Sequence, residues 1–353
     1  MTKPEASPPA PFIALALQTT CFAVNSAADV AAARVRMAET IARVGAQIGA
    51  SKRFIGQDVK LVVLPEYFLT GFPMGETAGV WAEKAALEIG GAEYAALGAL
   101  AKSQDIHLAG NAYERDPHFP GLYFQTSFLI DNAGEVVLRY RRLVSLFAPS
   151  PYDVYDRYVE TYGADALFPV VDTALGRIAA VASEEILYPE IARAMAVRGA
   201  EILLHSSSEA ASPLVTPKNI AKQARAIENL TYIVSANSAG ISGIAIPMAS
   251  TDASSKVIDY KGLILAEAGY GESMGAYAEI DIAALRRYRR RPGMPNILSR
   301  QPMALWAEAY AGREIQPRNS LLGAAGKPIT PDPAWYAARQ RGVIAAMEAG
   351  GII

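Results

Sequence analysis

The chain has 353 residues, of which 51% are hydrophobic and 19% charged, and 33 Lys and Arg against 35 Asp and Glu leave a net charge of −2. So apolar a chain can bury a core, which excludes a disordered polypeptide, and 28 glycines with 22 prolines exclude a collagen-like one. The near-balance of charge speaks against a surface built along its length to neutralise phosphates, so no nucleic-acid partner is expected.

Residues 1–11 read as a flexible tail, after which Phe12–Leu17 is a short apolar run suited to a strand buried on both faces. From Ala27 to Ile48 the apolar residues Val30, Val35, Ala38, Ile41 and Ile48 recur at roughly helical spacing, and Val59–Leu64 is strand-like again. The opening is therefore β-α-β, a unit that joins parallel strands. A helix over Ala92–Lys102 leads to strands over Ile106–Tyr113, Phe124–Ile130 and Glu135–Tyr140, the last two joined by the turn Asp131-Asn132-Ala133-Gly134. The sheet is then mixed. Ile178–Ala182, a helix over Pro189–Val197 with Gly199 past its end, and Ile202–His205 make a further β-α-β unit. A helix over Asn219–Asn229, a strand over Tyr232–Ala236 and a hairpin of Lys256–Asp259 with Leu263–Leu265 complete the domain.

Beyond Leu285 the character changes. Arg286, Arg287, Arg289, Arg290 and Arg291 form a basic cluster expected to be solvated or subunit-facing, and the rest carries only short helical patterns such as Met303–Tyr310. The expected division is a tail over 1–11, a domain over 12–285 and a C-terminal extension over 286–353. Met303, Leu305, Trp306 and Tyr310 make an apolar stripe in that extension, which suits a subunit interface.

Cys21, the only cysteine, cannot close an intramolecular disulfide, and His107, His118 and His205 have no cysteine nearby with which to build a structural zinc site. No apolar run reaches the roughly 18 residues of a membrane span, and prolines and a glutamate occupy the N-terminal stretch where a secretory signal places its apolar segment. A cytoplasmic, soluble chain is expected.

Neither GxxxxGK[ST] nor HExxH occurs, and the glycines of 269–275 lack the spacing of a dinucleotide loop. What remain are polar residues at the carboxyl ends of strands, where an α/β sheet presents its ligands. Glu66 follows Val62-Val63-Leu64-Pro65, where burial would raise a carboxyl toward a useful base, the plainer alternative being a loop glutamate. Ser183 follows Ile178–Ala182 at a strand-to-helix turn and reads equally as a nucleophile or an N-cap. Arg142 ends a hairpin strand, where a surface charge is the ordinary reading. Asp156 and Glu160 lie in a Tyr-rich loop, where solvated carboxylates are the default.

Several of these segments together resemble the nitrilase, or carbon-nitrogen hydrolase, superfamily over roughly residues 12–285. Leu64-Pro65-Glu66-Tyr67-Phe68-Leu69-Thr70-Gly71-Phe72 looks like the family's first-glutamate motif, and Gly134 to Leu143 like its hairpin ending in Tyr-Arg-Lys. Tyr188-Pro189-Glu190-Ile191-Ala192-Arg193, Arg198-Gly199-Ala200-Glu201-Ile202-Leu203-Leu204 and Arg225-Ala226-Ile227-Glu228-Asn229 with Val234-Ser235-Ala236-Asn237 resemble later signatures. The resemblance implies a four-layer α-β-β-α sandwich and a homodimer or higher even oligomer. It also implies a Glu-Lys-Glu-Cys site that hydrolyses amides or nitriles without metal or cofactor.

This chain keeps Glu66 but has Arg142 at the lysine, Asp156 at the second glutamate by its spacing to Gly163, and Ser183 at the nucleophilic cysteine. Glu184, Glu185, Tyr188 and Ser207 are the matching substrate-binding candidates, and Glu185 is expected to face inward. A hydroxyl is far less acidic than a thiol, and arginine cannot lend a proton near neutral pH. Two readings follow: a hydrolase of amidase or nitrilase lineage acting on a small amide or nitrile, with a serine at the nucleophile position, or a non-catalytic relative that binds a small amide or carboxylate in the inherited pocket.

Overall fold

The computed structural model describes residues 8–209, 216–323 and 326–353; most of the expected N-terminal tail, residues 1–7, lies outside them. The first half of the chain builds one sheet. After β1 (Phe12–Ala16) and β2 (Cys21–Phe22) comes α1 (Val30–Ile55), whose first turn is capped by the Asp29 carboxylate accepting from Ala32 N. The helix runs past its expected end at Ile48 and stops at Gly56, where φ is +136°. Next come β3 (Val59–Val63), α2 (Ala78–Ala85), β4 (Leu87–Glu88), α3 (Ala92–Gln104), β5 (His107–Arg115), β6 (Tyr123–Ile130) and β7 (Val136–Arg141). Gly134 turns the last hairpin with φ +96°, and α3 lies so close to it that a Cβ on Gly98 would meet the Gly134 carbonyl oxygen at 2.4 Å.

The second half repeats the plan. It contains α4 (Tyr155–Tyr162), β8 (Val171–Thr173), β9 (Gly176–Ala182), α5 (Pro189–Val197), β10 (Ile202–Ser206), α6 (Pro217–Asn229), β11 (Tyr232–Ala236), β12 (Ile241–Ser242), β13 (Lys256–Ile258), β14 (Ile264–Glu267) and β15 (Tyr277–Ile280). The sheet orders are β15-β1-β3-β5-β6-β7, with β4 beside β5, and β14-β13-β11-β10-β9-β8. Each has three parallel strands at its centre and antiparallel neighbours on both sides.

Period-two alternation separates the layers. Ala14, Ala16, Leu61, Val63 and Ala109 join one core with β9, β10 and β11, while Leu15, Val62, Leu64 and Leu108 join another with Met37, Ile41 and Val44 of α1 and Leu97 of α3. Ile191, Ala192 and Met195 of α5 and Ala221 and Ala226 of α6 close the far face of the second sheet. The result is the α-β-β-α sandwich, and the alanines on its inner face keep the space between the sheets thin. Strands β3, β9 and β10 end at one edge, and β7 ends there too because two antiparallel steps restore the direction of β5.

The C-terminal region departs from its expected form. Arg286 of α7 (Ile282–Arg290) pairs with buried Glu201 at 2.7 Å, and Arg289 donates to the carbonyls of Leu230 at 2.9 Å and Ala200 at 2.6 Å. These two arginines therefore fasten α7 to the sandwich and are not solvated. Past α8 (Met303–Tyr310), a longer helix than the patterns suggested, α9 (Pro333–Ala349), starts at Asp332, which caps Trp335 N, with Pro333 in its first turn. The segment before it packs on its own chain: Leu321 is fully buried, its N donates to Asp153 O, and Arg339 meets the buried Asp153 carboxylate at 2.6 Å. Among the described residues no helix is long and apolar enough to cross a membrane.

Candidate active site

Glu66 sits in the turn after β3 and is 2% exposed. One carboxylate oxygen accepts from Gln125 Nε2 at 2.5 Å, and the other from the Ser208 N at 3.0 Å and Oγ at 2.7 Å. The turns after β3 and β10 are stitched together beneath it, since Glu66 N donates to Ser207 O and Ser206 Oγ to Leu64 O. Tyr67, the next residue, has φ +55°, a conformation that costs energy in a residue with a side chain and is tolerated where packing enforces it. Here its ring stacks on Tyr113 at 5.0 Å.

Arg142 follows β7 and brings its charge to the same place. Its Nη1 lies 3.7 Å from Glu66 and donates to Gln125 Oε1 at 2.7 Å, its Nε donates to Val144 O at 2.7 Å, and its Nη2 meets the Glu184 carboxylate. Its neighbour Arg141 points the other way, as strand alternation requires. Arg141 pairs with Glu114 and Asp116 and lines a separate cavity of about 910 Å³ with Tyr158 and Tyr162.

Ser183 is the first residue after β9, 4% exposed, with φ +47°. Its strained backbone is held from below: the Ser183 carbonyl accepts from Nε2 of His205 on β10 at 2.8 Å, and His205 Nδ1 lies 2.8 Å from Ser235 Oγ. A carbonyl can only accept, so Nε2 carries the proton and Nδ1 accepts from the serine. Burial keeps this histidine's pKa well below the usual value, and the imidazole stays neutral. The Ser183 hydroxyl itself meets Lys218 Nζ at 3.4 Å.

Glu185 is fully buried and accepts from Tyr140 Oη, Leu143 N, Val144 N and Ala182 N at 2.7 to 3.3 Å. Burial pushes its carboxyl up to about 7, against the opposing pull of Arg142 and of these donors. Its role is to tie the loop after β7 to the turn holding Ser183. Behind them, Lys222 and Glu209 form a buried pair at 3.3 Å, and burial brings the lysine down to about 8.

The structure thus brings Glu66, Arg142, Glu184, Glu185 and Ser183 to one edge. Asp156 is not among them. It lies on helix α4, where the sequence suggested a loop, is exposed, and exchanges two hydrogen bonds with Asn319 of the extension at 2.8 and 2.9 Å. Glu160, on the same helix, is exposed as well. Ser207 is fully buried with its hydroxyl unpartnered among the described residues, and Tyr188 is half-exposed beside Glu184 on a cavity of about 290 Å³.

Four residues escaped sequence reasoning: Gln125, His205, Ser208 and Lys218. Gln125 opens the polar triplet Gln125-Thr126-Ser127 between apolar residues of one strand, and His205 and Ser208 flank a strand end, so those three carried a signal; Lys218 carried none. Cys21 lies 3.7 Å from Glu66 O, but burial pushes its thiol up to about 12, so it is not a substitute nucleophile. Gly271-Glu272-Ser273-Met274-Gly275 has the GxSxG spacing of a nucleophile elbow. Ser273, however, lies in an isolated bridge to Gln18 rather than on a strand-to-helix turn.

Residues 18–290 match the carbon-nitrogen hydrolase family model. The chain belongs to the carbon-nitrogen hydrolase family. It is 29% identical over 221 residues to a formamidase of Pseudomonas syringae pv. syringae, a stretch that covers 62% of this chain and 59% of that protein. The carbon-nitrogen hydrolase of Helicobacter pylori G27 superposes with a TM-score of 0.63 at 20% identity, over 85% of this chain and 98% of that one. A double mutant of the amidase from Nesterenkonia sp. AN1, in complex with acrylamide, gives 0.59 at 20% identity, over 87% and 100%. At such identities the two structures speak to the fold of this family member.

Proposed function

We propose that this carbon-nitrogen hydrolase acts on small amides through Ser183. The observation that carries the reading is Ser183 itself, held at φ +47° at the end of a parallel strand, with its hydroxyl 3.4 Å from Lys218 and the Glu66–Arg142 pair at the same edge. The formamidase relative and the amidase in complex with acrylamide support an amide as substrate. In the proposed reaction Ser183 Oγ attacks the amide carbon while its proton passes to Glu66. Glu66 returns the proton to the leaving nitrogen as the C–N bond breaks, and ammonia departs. Water then attacks the acyl ester, its proton going to Glu66, and the acid leaves as Ser183 regains its hydrogen. Arg142 and Lys218 oppose the negative charge that develops on the carbonyl oxygen.

A second reading, binding without turnover, is favoured by one observation: every nitrogen of Arg142 is already engaged by Val144, Gln125 or Glu184. Ammonia release from formamide, acetamide and propanamide decides between them. Slow turnover that Ser183→Ala abolishes and Ser183→Cys accelerates supports the hydrolase; turnover that survives Ser183→Ala removes Ser183 from the chemistry. No turnover by any form, with a rise in Tm on adding propanamide, supports the binding protein.

For assembly, we propose a homodimer or higher even oligomer in the cytoplasm, with Leu305, Trp306 and Tyr310 exposed on α8 as candidates for the contact. Leu305→Glu in the full chain lowers the mass seen by light scattering if α8 makes that contact.

A further inference from the structure

We propose that Glu184 sets the specificity of the site by occupying Arg142: it holds the guanidinium while an uncharged amide enters, yields it to the reacting oxygen as that oxygen turns negative, and takes it back, which expels the acid. The proposal rests on the amide reading above and adds how the site tells its substrate from its product.

Each of the three side-chain nitrogens of Arg142 has a partner, and the partners differ in how firmly they are fixed. Nε donates to Val144 O at 2.7 Å, and that residue is pinned in turn, since Val144 N donates to the fully buried Glu185 carboxylate at 2.9 Å. Nη1 donates to Gln125 Oε1 at 2.7 Å, and Gln125, 1% exposed, is fixed through its own Nε2 by Glu66 and Asn111. Neither partner can let go without leaving a buried polar group unpaired. Nη2 meets Glu184, whose side chain is 36% exposed and whose carboxylate makes no other hydrogen bond among the described residues. A carboxylate that already meets water can trade a guanidinium for water at small cost. Glu184 is therefore the partner that can leave, and the cavity of about 290 Å³ that it lines with Tyr188 gives it room.

Charge decides what replaces it. Arg142 is buried, so a guanidinium nitrogen left unpaired there would be costly, and Glu184 leaves only as another acceptor arrives. A neutral amide oxygen lacks the charge that holds Glu184 in place and does not dislodge it. The oxygen of the tetrahedral intermediate carries that charge, so its bond to Nη2 forms chiefly in the transition state, where it speeds the reaction. The acid product is charged too, but it competes with a carboxylate tethered one residue from Ser183, whose effective concentration exceeds that of a dilute acid. Glu184 reclaims Arg142, and the product departs.

The test is calorimetric titration of the full chain with propanamide and with propanoate, using Ser183→Ala to prevent turnover, alone and with Glu184→Gln or Glu184→Ala added. In Ser183→Ala alone, propanamide is expected to bind more tightly than propanoate. Either change at Glu184 frees Nη2, so propanamide tightens about three- to tenfold, as one added hydrogen bond to a charged group allows, and propanoate tightens by at least about tenfold more than that. The order of the two ligands then inverts. Loss of a merely structural contact would weaken both ligands or neither. Propanamide binding that is unchanged or weakened in either Glu184 variant overturns the proposal while the amide reading stands; if propanoate alone tightens, Glu184 repels anions at a distance and does not hold the guanidinium from the substrate. Tighter binding of propanoate by Ser183→Ala alone, or a gain for propanamide that propanoate does not exceed, overturns it as well. Failure of propanamide to bind any of the three forms overturns the amide reading, and this proposal with it.

Discussion

The two sheets deliver side chains to the same edge in opposite states. From the first sheet, both oxygens of Glu66 and all three nitrogens of Arg142 are engaged, and Gln125 locks the two together. From the second, the groups beneath Ser183 are clamped just as firmly, its carbonyl by His205 and the adjoining turn by Glu185, yet the hydroxyl has only the 3.4 Å contact with Lys218 among the described residues. Charge and backbone are therefore organised in advance, and the atom proposed to react is left loose. In such sites a catalytic hydrogen bond often tightens only when substrate arrives. The contrast can be broken or sharpened from either side.

The largest expected effect comes from the saturated side. In Glu66→Gln, the new amide must turn its NH₂ either toward the Ser208 N–H or toward Gln125 Nε2, both donors. Gln125 cannot flip to help, because its Oε1 serves Arg142 and its Nε2 also serves Asn111. We expect a loss of about 1–3 kcal/mol in stability by denaturant titration and at least about 100-fold in amide turnover. A fully active variant would mean that the locked pair is not the base. On the loose side, Lys218→Met should cost about 10- to 100-fold in kcat, as the loss of a charge near the developing oxyanion does, with little change in Tm since Lys218 is partly exposed. Equal kcat in that variant would show that another group completes the hydroxyl's surroundings.

Glu185 gives a smaller effect with a definite sign. Its carboxyl moves from the ordinary 4.5 to about 7 on folding. Between those values the unfolded chain loses the proton first, so stability falls as pH rises, by at most about 1.4 kcal/mol per unit, and levels off above about 7. In Glu185→Gln the slope from this group vanishes. The amide oxygen can face Leu143 N and Val144 N and its NH₂ can donate to Tyr140 Oη, while the Ala182 N–H at 3.3 Å loses its acceptor, a cost that does not vary with pH and so leaves the slope as the readout. Tm measured from pH 4.5 to 7.5 in both forms checks the sign; parallel curves would place the proton elsewhere.

The sandwich was legible because its strands are buried on both faces and its helices on one, so burial writes a period of two or 3.6 into the residues. The edge was legible where a polar residue breaks an apolar run at its end, as at Glu66 and Ser183, whereas Arg142 follows Arg139-Tyr140-Arg141 and stood out only through the family resemblance. Lys218 was not legible, because a lysine near a helix start looks the same whether it meets solvent or a hydroxyl across the fold. The extension was the least legible part. It is held by isolated polar contacts, Asp153 with Arg339 and Asp156 with Asn319, which leave no periodic trace. Helix α9 buries little beyond Tyr336, so its apolar residues show no stripe.

The same reasoning accounts for Asp156 and yields the smallest effect. Spacing to Gly163 chose it for the second-glutamate position, but spacing along a chain cannot tell which side of a helix faces the site. On α4 it turns outward, accepting from Asn319 Nδ2 at 2.8 Å and donating through its own backbone N to Asn319 Oδ1 at 2.9 Å. Asp156→Asn keeps an oxygen for the first bond and leaves the second untouched, and an exposed contact of this kind is worth about 0.5 kcal/mol or less. We expect kcat for small amides to stay within about twofold, the scale of so small an energy. A loss of 100-fold, the mark of a removed acid or base, would mean that α4 swings inward with substrate and that the outward pose is only the resting one.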